Sequence, residues 1–438
     1  MRFPWIFALA TGALCGCAPG SPLREAVRPS SPYERYAESL RDAGLDKTAL
    51  GGDWLSAGRG VLSNATPVDL PVRETGYLSP GEPAARAWRF SLAHGRRLVI
   101  NVETIAAEPF RVYLDLFELR GDPPDLQLVA SAEADAAQLE FEPERGGTFV
   151  LRLQPELLRG GRFTITEHTT ATLTFPIEGR EGDRIASSFG DPRDGGGRDH
   201  QGLDIFARRG TRVVAAADGW VTSAGTSNLG GNVVWIRSSR GQSHYYAHLD
   251  EQLVAPGARV RAGEPIGTVG NTGNARTTAP HLHFGIYRRG SGAIDPFPFV
   301  FTGSARPAPV TANTDALGSW LRVSNANVRL RAAPALSAPI VRDLPQHTVV
   351  YADGAVRDWY RVQLPDGTAG FVSGRLTEST DQPIRTERAG SVRLLDRPMV
   401  TAAPIEDLDA PVRLPILGRF GDFLFVRTPG GREGWVQL

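Results

Sequence analysis

The sequence predicts a mainly β, multidomain protein: an N-terminal β-sandwich, a second β-rich domain and two small β-barrels. Three observations lead there. At 438 residues the chain exceeds what one core accommodates, and about 100–200 residues per domain implies several units. Apolar residues alternate with period two over long stretches, the signature of half-buried strands. Finally, shifting the C-terminal part by 64 positions superposes it on itself without a gap.

The 48 basic and 48 acidic residues cancel, with no block of like charge, so neither a nucleic-acid groove nor a polybasic membrane patch is expected. Lys47 is the lone lysine, and the arginines are spread over every segment without a mechanistic pattern.

Arg2 precedes an apolar run over residues 3–14, which has the form of an export signal and is too short to span a bilayer. The run ends in Leu14-Cys15-Gly16-Cys17, which resembles the lipobox of bacterial lipoproteins. That resemblance implies removal of a signal peptide at 1–16, acylation of Cys17 and attachment to a membrane through the N-terminal lipid; ordinary signal cleavage is the alternative. The address implied is the cell envelope, on the periplasmic face of the inner or outer membrane in a Gram-negative source. With Cys17 acylated the mature chain has no second cysteine, so packing rather than a disulfide must stabilise each domain.

Residues 17–64 should comprise the lipidated cysteine, a Pro/Ser/Ala-rich linker and short helices. Ser31-Pro32-Tyr33-Glu34 reads as a capping box with proline in the first turn, and Tyr33, Tyr36, Ala37 and Leu40 share a helical face. A second helix is expected from Asp46, carrying Leu50 and Trp54. Over 65–170 the sets Trp88/Phe90/Leu92, Leu98/Ile100/Val102, Val112/Leu114/Leu116 and Phe149/Leu151/Leu153 alternate with polar neighbours, separated by turn-rich stretches. The pattern resembles the jelly-roll domains that accompany secreted bacterial peptidases. Residues 304–317 read as a linker. In 318–378 and 379–438, Val328-Arg329-Leu330 matches Val392-Arg393-Leu394, Trp359 matches Phe423 and Phe371 matches Trp435. The first copy resembles a bacterial SH3-like domain; the second is more divergent, with Leu395-Asp396 where the first has Arg331-Ala332.

The chemistry concentrates in 171–303. Five of the eight histidines, His200, His244, His248, His281 and His283, lie within 84 consecutive residues. His200-Gln201-Gly202-Leu203-Asp204 sets an imidazole and a carboxylate either side of a glycine turn. His281 and His283 occupy alternate positions of an apparent strand, so both project to one face and Leu282 and Phe284 to the other. Two histidines, a carboxylate and water satisfy a catalytic zinc site, where one of four positions stays open. Such an ion lowers the pKa of water toward about 7.

Four segments together resemble the lysostaphin-type, or LytM-domain, zinc metalloendopeptidases: Ser188-Phe189-Gly190, His200 to Asp204, Tyr246-Ala247-His248-Leu249 and Thr278-Ala279-Pro280-His281-Leu282-His283-Phe284. The resemblance implies that His200, Asp204 and His283 hold one Zn2+ and that His248 and His281 are unligated catalytic histidines. It also implies peptidoglycan peptides as substrate, cut in cross-links or stems, with no nucleic acid involved and oligomeric state left open. Some members of the family have lost zinc ligands and activate other wall hydrolases as adaptors; all five positions remain here, which favours an enzyme. Peptides other than the wall's stay open as substrates, because specificity resides in loops. Even spacing puts His244 and Tyr246 on the face of His248, yet each reads better as packing. Glycines 225, 230, 231, 241, 263, 267, 270 and 273 read as turns and bulges rather than a phosphate loop.

Overall fold

The computed structural model describes residues 30–133, 136–179, 185–301, 303, 306–408 and 411–437; the signal segment and Cys17 lie outside the described residues. Among the described residues no helix is long and apolar enough to cross a membrane. Helix α1, Pro32–Asp42, starts as its sequence dictates: Ser31 Oγ accepts the Glu34 N–H, and Glu34 accepts the Ser31 N–H in return. A turn of 3-10 helix at Leu45–Lys47 intervenes before α2, Ala49–Ser63, capped by Thr48. Trp54 is buried and donates from its indole to the Pro155 carbonyl at 2.8 Å, whereas Leu50 is 40% exposed. It lies on the solvent side of a helix whose glycine-rich face does the packing, since a Cβ on Gly58 would strike Tyr33 and Gln154 at 2.2 Å. Tyr33 in turn carries the Arg152 guanidinium 3.5 Å from its ring centre, and Arg152 pairs with buried Asp115.

The sandwich follows the alternation. One sheet orders Thr66–Pro67, Arg86–Leu92, Gly147–Pro155, Val112–Arg120 and Asp125–Ser131. The other orders Val72–Leu78, Gly161–Ala171, Arg96–Ile105 and Gln138–Phe141. The four alternating triplets all turn inward and form one core with Phe163 and Ile165.

The second sheet does not end at Val72–Leu78. Thr75 and Gly76 pair with Ala355 and Gly354, so the ladder runs on into the first C-terminal unit. At the seam, fully buried Glu74 receives two hydrogen bonds from the Arg361 guanidinium at 2.9 and 2.8 Å and a third from the Trp88 indole at 2.8 Å. A carboxylate and a guanidinium removed from water require such pairing. Arg86 and Asp353 add a second pair at 2.7 Å. Within the stretch expected as a linker, Thr311 and Ala312 both donate to the Arg357 carbonyl.

The 64-residue repeat is visible strand by strand: Val328–Arg331, Ile340–Leu344, Trp359–Gln363 and Ala369–Ser373 recur as Val392–Leu395, Pro404–Leu408, Phe423–Arg427 and Glu433–Val436. Gly370 and Gly434 have one cause, because a Cβ on either would lie 2.7 Å from the leucine, Leu330 or Leu394, at the centre of its unit. Strand pairing among the described residues leaves both small sheets open rather than closed into barrels; Ile340–Leu344 and Pro404–Leu408 each pair on one side only.

Residues 171–303 build around a sheet ordered Ile185–Ser187, Leu203–Phe206, His281–Arg288, Ser243–Gln252, Gly231–Ser238, Gly219–Ser227 and Arg259–Val260. Leu203, Ile205, Leu282, Phe284, Ile286, Tyr246, Val234 and Ile236 fill the core against one face. The opposite face is free to carry polar groups.

Replacing Arg361 by methionine should leave Glu74 buried without its cation and cost about 3–5 kcal/mol in denaturant unfolding, most of it recovered in the Glu74→Gln/Arg361→Met double variant. An Arg361→Met protein as stable as the parent would contradict the seam. Glu167 offers a pH test. It is fully buried, neither carboxylate oxygen has a partner, and burial reinforced by Glu74 pushes its carboxyl well above the usual range. The unfolded chain then releases this proton at lower pH than the folded one, so stability is greatest below the unfolded value near ~4.3 and falls as pH rises toward the folded value. Glu167→Gln should therefore gain on the parent by up to about 1.4 kcal/mol per pH unit across that window. A pH-independent difference in melting temperature would show that Glu167 does not titrate this way.

Candidate metal centre

Antiparallel pairing of Leu203–Phe206 with His281–Arg288 sets Asp204 directly opposite His283 and Phe206 opposite His281. Residues opposite one another in a ladder project to the same face, so a carboxylate and two imidazoles rise together from the side away from the core. His200 enters from the preceding loop, held through its backbone by Asp191 and Gly190, and is 3% exposed. Gly202 between them is a steric necessity: a Cβ would lie 2.8 Å from the His283 ring and 2.5 Å from the Phe284 carbonyl.

His200 Nε2, Asp204 Oδ1 and His283 Nδ1 form a nearly equilateral triangle, with edges of 3.0, 2.9 and 3.0 Å. The His200 Nδ1–H donates to the Ser188 carbonyl at 2.8 Å, which leaves Nε2 as a lone pair aimed into the triangle. Burial would raise the Asp204 carboxyl, but the His200 and His283 rings beside it outweigh burial and hold the group well below the usual carboxylate range. Burial lowers His283. Deprotonated donors converging on one point repel unless a cation lies among them, so the set could hold a metal ion. Roughly 3.3 Å separates ligands of a tetrahedral ion with bonds near ~2.05 Å, close to the edges observed.

Two further imidazoles flank the triangle. His281 donates from Nδ1 to the Ala279 carbonyl, and His248 from Nδ1 to the Thr272 carbonyl, both at 2.9 Å, leaving each Nε2 an acceptor. Their rings lie 5.0 Å apart, and that of His248 lies 6.0 Å from His283. Burial, then His281, push His248 down to about 4, so it is neutral at physiological pH.

The face assigned to His244 and Tyr246 needs correction. Both are fully buried on the core side, where the Tyr246 hydroxyl accepts the Ala216 N–H at 2.8 Å, whereas His248 faces the groove. Alternation breaks because His248 sits in the left-handed region, at φ 63°, beside a register shift between Asn232 and Val234. A histidine in that conformation is held by its surroundings at some cost in strain. Here its N–H is bound to the Gly230 carbonyl at 2.7 Å. Gly231 and Gly273, both at positive φ, let those loops touch, since a Cβ on either would come within 2.4 Å of the other loop's backbone. These two and Gly241 and Gly263 adopt the turn conformations expected of them.

Residues not singled out from the sequence complete the site. Arg193 donates to Asp204 Oδ2 and to Ser187 Oγ, both at 2.6 Å, tying up the carboxylate oxygen that faces away from the triangle. No spacing rule reveals it, because the loop 188–200 decides where it lands. Trp235, Tyr245 and Tyr287 line the same groove of about 550 Å³. Tyr245 was open to discovery, since it lies two positions before Ala247, which pairs with His283. A larger recess of about 800 Å³ lies at the sandwich edge, but no histidine lines it, and the chemistry belongs to the groove. A cation site with two imidazoles beside it can polarise a carbonyl and move protons.

Residues 198–296 match the model of peptidase family M23, and residues 324–378 that of the bacterial SH3 domain. The peptidoglycan DD-endopeptidase ShyC of Vibrio cholerae serotype O1 is 40% identical over 118 residues, 26% of this chain and 26% of its own. The L-Ala--D-Glu endopeptidase of Bacillus subtilis is 35% identical over 151 residues, 32% of this chain and 45% of its own. The murein hydrolase activator NlpD of Escherichia coli K12 is 33% identical over 136 residues, 31% and 33% of the two chains. The solved catalytic domain of lysostaphin from Staphylococcus simulans is 37% identical, covering 26% of this chain and 90% of that one with a TM-score of 0.25. The chain thus spans less than half the length of these curated relatives. Within those bounds, the chain carries a peptidase family M23 domain of the lysostaphin type together with a bacterial SH3 domain.

Proposed function

We propose that this chain is a zinc-dependent endopeptidase that hydrolyses peptide bonds in peptidoglycan cross-links or stems, exported and anchored to an envelope membrane through acylated Cys17. The convergence of His200 Nε2, Asp204 Oδ1 and His283 Nδ1 within about 3 Å, beside two imidazoles with free Nε2 atoms, is the observation that carries this reading. Two histidines and one carboxylate suit zinc, and three ligands rather than four is the composition of a catalytic rather than a structural site. Zinc held there supplies Lewis acidity to the scissile carbonyl and eases the deprotonation of water. His248, neutral, and His281, both fixed through their Nδ1–H groups, accept a proton at Nε2, stabilise the developing oxyanion and return a proton to the leaving amine. Arg193 keeps Asp204 oriented. Peptidoglycan is favoured by a relative named as an endopeptidase acting on it and by the accompanying SH3 domain.

The likeness to NlpD, named as an activator, favours a second reading, in which the chain binds the wall and activates other hydrolases. The proteins part on metal-dependent cleavage. Cross-linked peptidoglycan incubated with the purified mature chain should release fragments, read by mass spectrometry, that disappear on chelation and return with zinc; release unaffected by chelation, or none, would favour the adaptor. His283→Ala should lose bound metal, whereas His281→Ala should keep it and lose at least about 100-fold in turnover. Equal zinc content in the two would overturn the division of roles. Arg193→Met should weaken metal binding by about 10–100-fold in a competition titration, independent of turnover. An unchanged affinity would remove Arg193 from the support of the site.

A further inference from the structure

The groove face of the sheet continues well past the metal centre. Tyr245 pairs with Trp235 on one side and Gly285 on the other, and Ser243 pairs with both Arg237 and Tyr287. One strand further, Trp220 pairs with Arg237 on one side and with Arg259 on the other. Paired residues share a face, and that face is the one carrying His283, because Ala247, two positions from Tyr245, pairs with His283. Val221 and Ile236, the alternate residues, point into the core.

The result is a continuous shelf. The Tyr245 ring lies 5.8 Å from His283, Trp235 lies 4.4 Å from Tyr245, and Tyr287 lies 5.1 Å from Trp235. Gly285 leaves room for this, since a Cβ there would press on Tyr287 at 3.0 Å. Trp220, at the far end, is 48% exposed, with the Arg259 guanidinium 5.7 Å from its ring centre. Neither Arg237 nor Arg259 has an ion-pair partner among the described residues. Trp220 lies three strands from His283, at about 4.8 Å per step, and the register also moves about four residues along the strands, at about 3.3 Å each, so the shelf ends roughly 20 Å from His283, the length of about six residues of extended peptide.

We propose that this shelf is a substrate subsite for an acidic, extended, cross-linked peptide stem: the aromatic rings receive its aliphatic groups, and Arg237 and Arg259 receive a free carboxylate about six residues from the scissile bond. The inference rests on the peptidase reading for the identity of the polymer. Continuity with His283 selects the peptide, since the segment adjoining the cut bond must lie on the first rings. The unpaired arginines select an anionic one.

Binding without turnover tests it. The full mature chain, freed of metal by chelation, is titrated with a synthetic cross-linked pair of stem peptides bearing free carboxylates, with the same peptide fully amidated, and with glycan strands stripped of peptide. Arg237→Gln/Arg259→Gln should weaken the acidic peptide by about tenfold and abolish its preference over the amidated form. Trp220→Ala should weaken both peptides. All three side chains are exposed or at the rim, and circular dichroism checks that the variants are folded. Unchanged affinities in these variants overturn the shelf, as does tighter binding of peptide-free glycan that the same substitutions reduce. Shelf-dependent peptide binding by a zinc-loaded chain that leaves peptidoglycan uncut would instead sustain the shelf and sink the peptidase reading. Cleavage with an unaltered KM in the arginine double variant would do the reverse.

Discussion

The antiparallel pairing of Asp204 with His283 is the constraint on which the site depends. A one-residue slip between these strands would turn every side chain of one of them to the other face and separate the donors. Register is held by the core beneath: Leu203 and Ile205 of one strand and Leu282, Phe284 and Ile286 of the other are all 0% exposed, so a slip of either strand would drive its two or three large apolar groups out and polar ones in. The hydrophobic face thus fixes the polar one. Lone pairs that repel one another are held together by packing several residues wide, which preorganises the set for a cation.

Around this pairing, small residues and one strained backbone make the remaining adjustments. Gly202 clears the His283 ring, Gly231 and Gly273 let two loops meet, and His248 accepts a left-handed conformation to reach a face its strand position denies it. The strain is local, and the His248 N–H and Nδ1–H are both bound to carbonyls of those two touching loops. Removing a single glycine would therefore loosen a histidine that is distant from it in sequence.

Much of this was legible before any coordinates. Period-two alternation identified the sandwich strands, the 64-residue shift found the paired C-terminal units, and the spacing of His281 and His283 correctly placed them on one face. The failures share a physical origin. His244 and Tyr246 were set on the face of His248 because alternation assumes an unbroken strand, and a bulge with a positive φ is invisible to a period. Arg193 was unreadable since its partner is reached through an irregular loop. The seam between sandwich and first C-terminal unit was unreadable too, because Glu74 and Arg361 are 287 positions apart and nothing in either neighbourhood announces the other.

The two junctions that hold the peptidase domain and the first C-terminal unit to the sandwich differ in kind. At the seam a ladder continues across the boundary, and Glu74 and Arg361, 0% and 13% exposed, are paired where water cannot replace either partner. The peptidase domain meets the sandwich through Phe299, which lies against His94 and Gly95, and through Arg240 and Glu142, 57% and 27% exposed. An exposed pair of that sort contributes about 0–1 kcal/mol and is screened by salt, whereas breaking the buried one costs several times more. The sandwich and the first C-terminal unit therefore behave as one body, to which the peptidase domain is held less firmly. Gly95, at φ 85° and with the Phe299 ring within 2.6 Å of where a Cβ would be, is the residue on which that contact turns.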